Sequence, residues 1–186
     1  MKLDVNVTAS NKNAKQVKTI EVKIKTDFDA PPQCPDTAAF LRNLEALPKD
    51  ERHACLMVTG TEVTATLDMV RQGSGQGGLK LDGEQLSLQW IELDGERLTE
   101  DDYTAGDTEL RVPSVPDRFT LRTRVTIRPE ENTSLEGFYR SQSAYCTQCE
   151  AEGFRKITYF PDRPDVLAVY TVTLEADRAE CPVLLS

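Results

Sequence analysis

Along much of the chain apolar and polar residues alternate one by one, the period of a strand with one face buried. From Thr61 the alternation is sustained: Val63, Ala65, Leu67 and Met69 fall on one side, Glu62, Thr64, Thr66 and Asp68 on the other. Phe119, Leu121, Thr123, Val125 and Ile127 repeat it, with Arg118, Arg122 and Arg124 on the opposite face. Such a basic stripe reads as a solvated face balanced by nearby acids. Leu86, Leu88 and Trp90 form a further inward face, and the change of phase to Ile91 and Leu93 predicts a bulge. Asp94-Gly95 then predicts a tight hairpin turn. Phe154 to Phe160 and Ala168 to Leu174 predict two more strands, either side of a turn at Asp162-Arg163-Pro164-Asp165.

The first 60 residues have a different texture. Ile20, Val22 and Ile24 alternate with charged neighbours as a half-buried strand. Pro31, Pro32 and Pro35 then punctuate the chain before Asp36, a helix cap in front of Phe40, Leu41, Leu44 and Leu47 on one helical face, with Pro48 as the stop. Cys55-Leu56-Met57-Val58 predicts a short buried strand. Gly73-Ser74-Gly75-Gln76-Gly77-Gly78 predicts a hairpin loop rather than a phosphate cradle, because no helix opening with Lys-Ser or Lys-Thr follows it. Several short strands at this spacing give a mainly β fold, an antiparallel sandwich or saddle, with one short helix near residues 36–47 on its flank. The expected organisation is a divergent or unrelated segment at 1–60 and a β domain at 61–186.

Composition narrows the partners. The 186 residues carry a formal net charge of -9, which argues against nucleic acid and anionic membrane. Nine lysines and arginines balance eight acids in residues 1–60, so the acidity sits in the β part. No apolar run approaches a membrane span, and the start lacks a signal-peptide core. Five cysteines without framework spacing fit a reducing compartment, and the expected location is cytoplasmic.

The densest chemistry lies between Ser143 and Asp165. Cys146 and Cys149 form a C-x-x-C pair, but a structural zinc site needs a second pair of ligands, and the remaining donors are Cys34, Cys55, Cys181 and a single histidine, His53. A redox pair would open a helix of a thioredoxin-like unit, which the sequence lacks. Two packed thiols remain the simplest reading. In an extended segment Gln148 and Glu150 point to one side. A carboxylate beside an amide suits an ammonium ion, with its three donors and full charge. The competing reading pairs Glu150 or Glu152 with Arg155 or Lys156 on the surface.

Three runs carry a resemblance: Asn132-Thr133-Ser134-Leu135-Glu136-Gly137-Phe138-Tyr139; Cys146-Thr147-Gln148-Cys149-Glu150-Ala151-Glu152-Gly153-Phe154-Arg155; and Ile157-Thr158-Tyr159-Phe160 with Asp162-Arg163-Pro164-Asp165-Val166-Leu167-Ala168. Together they resemble the N-terminal domain of the bacterial aminopeptidase N family, zinc-dependent gluzincin aminopeptidases, and the likeness covers roughly residues 61–186. The resemblance implies a β domain whose Thr-Gln-x-Glu loop reaches into the active site of a following domain. It assigns Glu150 to the free α-amine of a peptide and Gln148 to the pocket for the first side chain. It also implies zinc in the full-length enzyme, whose helical H-E-x-x-H is absent here. The expectation is therefore a substrate-pocket-completing domain, apparently truncated at its C-terminal end. It is expected to be inactive alone, to hold no cofactor of its own, and to act on peptide N-termini together with the missing catalytic domain. The alternative is a non-catalytic β-sandwich interaction module derived from such a peptidase.

Overall fold

Strands β2 (Thr61–Val70) and β8 (Arg118–Ile127) form the centre of the fold, antiparallel and in register over their whole length, with Leu67 opposite Leu121 and Val63 opposite Val125. Their strict alternation places every second side chain of each strand on one face, where Val63, Ala65, Leu67, Leu121, Thr123 and Val125 are fully buried. The structure is a computed structural model that describes residues 60–71, 77–142, 144–176 and 181–183, and the backbone of β1 (Val17–Thr26).

Around this centre a six-stranded sheet runs in the order β11-β1-β2-β8-β4-β5, with β4 at Ser87–Leu93, β5 at Glu96–Arg97 and β11 at Val169–Ala176. A three-stranded sheet, β3-β7-β6, is built from β3 (Leu79–Asp82), β7 (Glu109–Val112) and β6 (Thr104–Ala105), and a hairpin of β9 (Gly137–Ser141) with β10 (Ala144–Gln148) completes the described strands. Leu81, Leu110 and Val112 of the small sheet join the buried faces of β2 and β8 in one core, together with Ile157, Tyr159 and Phe160. Each fully buried leucine there contributes about 1.5–3 kcal/mol relative to an exposed one.

The mainly β, antiparallel sandwich expected from the alternation is what the chain forms, with one parallel pair among the described strands, β1 with β11. Strand β1, from the segment set apart by composition, pairs with β2 and β11 and so belongs to the same sheet. The helix expected near residues 36–47, the strand expected at Cys55 to Val58, and His53 lie outside the described residues.

Three local expectations need correction. First, the strands on either side of the glycine-rich connection, β2 and β3, do not pair as a hairpin, because β3 lies in the other sheet and pairs with β7; residues 72–76 of the connection lie outside the described residues. Second, the bulge in β4 is present, as a shift of register between Leu88 and Trp90, but its effect is to turn Trp90 outward while Ile91 is fully buried. Trp90 lies on the basic face, under the guanidinium groups of Arg97, Arg122 and Arg124 at 4.4, 5.5 and 5.3 Å from the ring centre. Two arginines of the expected basic stripe pair with acids, Arg122 with Glu92 at 2.9 Å and Arg124 with Glu62 at 4.0 Å, and Arg97 adds a second pair with Glu92 at 3.2 Å.

Third, Phe154 to Phe160 is not a strand. Phe154–Lys156 forms a single 3-10 turn, and only Phe160 makes a bridge, to Asp82. The apolar residues here satisfy a packing demand rather than a pleat. Phe154 meets Phe160 edge-on at 5.1 Å and Tyr170 of β11 at 5.6 Å, so three aromatic rings clamp the turn to the large sheet.

Candidate functional site

The hairpin of β9 and β10 ends on the pair Gln148 and Gly137. Gly137 has φ +72°, a conformation that favours glycine, and a β-carbon there would lie 2.6 Å from Cβ of Lys156. Beyond Gln148 the chain turns back at once: the amide of Gly153 donates to the carbonyl of Cys149 at 3.1 Å, closing a loop over Glu150, Ala151 and Glu152. The Glu150–Ala151 peptide bond is cis. Gly153 is wedged behind this loop, where a β-carbon would stand 2.6 Å from the Gln148 carbonyl oxygen.

Gln148 is the last residue of β10 and Glu150 lies in the turn that follows; both are exposed. Strict alternation through Cys149 is thus not continued as a strand to Glu150, but the two polar side chains still occupy adjoining positions at the same end of the hairpin. Cys149 between them is partly buried against the core. Burial, with the nearby Asp162 carboxylate, pushes its thiol up to about 11. That shift disfavours the thiolate needed for redox exchange or metal ligation, and Cys146 and Cys149 are both free thiols.

The carboxylates divide cleanly. Glu152 accepts from Nη2 of Arg155 at 2.9 Å, and Glu84 stands 3.2 Å from Nζ of Lys156. Among the described residues no side-chain hydrogen bond or ion pair engages Gln148 or Glu150. Of the two surface pairings considered for Arg155 and Lys156, the chain uses Glu152 and leaves Glu150 open to solvent.

A network that the sequence pattern did not reveal lies behind the loop. Nε and the main-chain amide of Arg155 both donate to Oδ2 of Asp162, at 3.1 and 2.9 Å, and Nη2 also donates to the Asp162 carbonyl at 2.7 Å. The Asp162 amide donates to Oδ2 of Asp82 at 3.0 Å, and the Glu84 amide to the Arg155 carbonyl at 2.9 Å. Asp162 reads from sequence as one acid of a turn; in the fold it is buried. A second loop at the same end is held by Asn132, whose Nδ2 donates to the carbonyls of Glu136 and Phe138 at 2.7 and 3.0 Å.

Among the described residues the donors do not fit a zinc ion. The chain has one histidine, and among the described residues no group of three or more His, Cys, Asp or Glu side chains is placed to hold a metal. No described helix is long and apolar enough to cross a membrane.

Residues 82–186 match the family described as the Peptidase M1 N-terminal domain. Aminopeptidase N of Caulobacter vibrioides is 48% identical over 128 residues, 69% of this chain and 15% of that protein. Aminopeptidase N of Escherichia coli is 46% identical over 126 residues, 68% of this chain and 14% of its own length. The chain therefore spans a small part of the relatives it matches. Among solved structures, Legionella pneumophila aminopeptidase A in complex with aspartic acid superposes with a TM-score of 0.69 at 27% identity, over 91% of this chain and 17% of that one. The M1 zinc metallopeptidase of Deinococcus radiodurans shares the fold, with a TM-score of 0.59 at 14% identity, over 86% of this chain and 32% of that one.

Proposed function

The chain belongs to the Peptidase M1 N-terminal domain family, and from that premise we propose that it completes the substrate pocket of a zinc metallo-aminopeptidase, with Glu150 binding the α-ammonium group of a peptide and Gln148 lining the space for its first side chain. One observation carries the reading. Glu150 is the acid of this loop that lacks a protein partner among the described residues, while its neighbour Glu152 is taken by Arg155.

An exposed carboxylate on a built loop is ready for a cation. When a partner surface closes over it and excludes water, the same carboxylate must find a charge or be left unpaired, which costs several kcal/mol. A peptide N-terminus supplies that charge together with three N–H donors; an internal peptide bond supplies neither. Pairing of this kind restricts cleavage to the first peptide bond, because only a chain end satisfies the anchor. Gln148, an amide at the end of β10, offers both a donor and an acceptor beside it.

Zinc and the activation of water belong, on this reading, to a part of the enzyme outside this chain; among the described residues no set of donors assembles a metal site. The present residues bind and orient; they move no proton. The test is the steady-state kinetics of the full-length enzyme on a leucyl or alanyl reporter amide. Glu150→Ala is expected to lower kcat/KM about a hundredfold or more. Unchanged kcat/KM in that variant would overturn the assignment.

A further inference from the structure

We propose that Arg155 and Glu152 are positioning residues: together they tie the far limb of the Glu150 loop to the buried body of the domain and so fix where the Glu150 carboxylate is presented. The inference rests on the reading of Glu150 as the amine anchor.

The guanidinium of Arg155 uses its fork on two sides. On the inner side Nε and Nη2 hold the carboxylate and carbonyl of Asp162, which is itself bonded through its amide to Asp82 at the end of β3. Nη1 lies 3.8 Å from Glu84, which follows that strand. On the outer side Nη2 reaches Glu152, two residues past Glu150. Arg155 is largely buried and Glu152 half-exposed, with side-chain exposures of 19% and 51%. An ion pair of that kind adds little to stability. Its geometric effect is larger, because Glu152 is the part of the turn that the network reaches through a side chain. The Gly153 amide bond to Cys149 closes the base of the loop, and the Arg155–Glu152 pair restrains its far limb. A pre-set carboxylate loses less freedom when the ammonium arrives.

Arginine is needed for this geometry. Two bonds to Asp162 and one to Glu152 leave one planar group in three directions, whereas a lysine ammonium is a single point on a flexible stem.

The experiment compares two ligands of the full-length enzyme, leucinamide and its des-amino analogue 4-methylpentanamide, by their inhibition constants. Their ratio reports the ammonium contact alone. In Glu152→Ala and in Arg155→Lys the ratio is expected to fall about tenfold while the des-amino constant stays unchanged. Glu152→Gln, which keeps an acceptor for the guanidinium but loses the charge, is expected to restore most of the ratio. A ratio untouched by Glu152→Ala and Arg155→Lys, alongside a collapse in Glu150→Gln, would overturn the positioning role and leave the anchor standing. An equal loss for both ligands, or a Glu152→Gln effect as large as that of Glu152→Ala, would also overturn it. No effect in Glu150→Gln would remove the anchor itself and the inference with it.

Discussion

Gly153 lies against Gly137 so closely that a β-carbon on Gly153 would stand 3.0 Å from the Gly137 amide nitrogen, with the Gln148 carbonyl oxygen nearer still at 2.6 Å. Both obstacles are backbone, so neither can swing aside. The two glycines are 16 positions apart in sequence, yet the return of the loop onto the hairpin depends on both.

Gly153→Ala should therefore cost about 1–3 kcal/mol through overpacking against fixed atoms. It should also displace Glu150, lowering kcat/KM of the full-length enzyme more than an equally destabilising core change does. Urea unfolding and reporter-amide kinetics on the same samples check both halves. A variant with unaltered stability would mean that the close approach of Gly153 to the hairpin is not maintained in solution.

Thr123 is fully buried on the inner face of β8, and its hydroxyl oxygen has no hydrogen-bond partner among the described residues. A buried hydroxyl without a partner carries a desolvation cost that the isosteric valine avoids. Thr123→Val should stabilise the domain by about 1 kcal/mol, read as a higher urea midpoint at unchanged slope. A lower midpoint would show that the hydroxyl is satisfied in the folded protein.

Much of the fold is visible in the alternation because β2 and β8 each have one dry face, and a dry face forces period two. The bulge in β4 is visible for the same reason, as a break of phase. The side taken by Trp90 is not, because an aromatic ring is stabilised by stacked guanidinium groups as well as by a core, and residue type does not distinguish the two. Phe154 to Phe160 misleads for a related reason: its rings are buried by Tyr170 and by each other without any pleat. At the site, the proposal of an ammonium partner rests on the residue types of Gln148 and Glu150, which are legible in the sequence. Which acid Arg155 takes depends on Asp162, and that contact is fixed only by the fold.

Cys149 gives a pH-dependent prediction. Its thiol is raised from 9.0 to about 11 by burial and by Asp162, so the folded state holds the proton more tightly than the unfolded chain. The resulting stability is complete below pH 9 and is lost as pH rises towards 11. Unfolding midpoints should fall across that window, and less so in Cys149→Ala. At pH 8 a variant retaining Cys149 alone should react with a disulfide reagent about tenfold more slowly than free cysteine, or slower still. Rapid labelling, or an isolable Cys146–Cys149 disulfide, would contradict the reading of Cys149 as an inert packed thiol.

The most direct measurement is a crystal structure of the full-length enzyme with a free amino acid bound. The account predicts the α-ammonium nitrogen at hydrogen-bond distance from the Glu150 carboxylate, about 2.7–3.0 Å, with the amino-acid side chain against Gln148. An ammonium group held elsewhere, with Glu150 still in solvent, would contradict it.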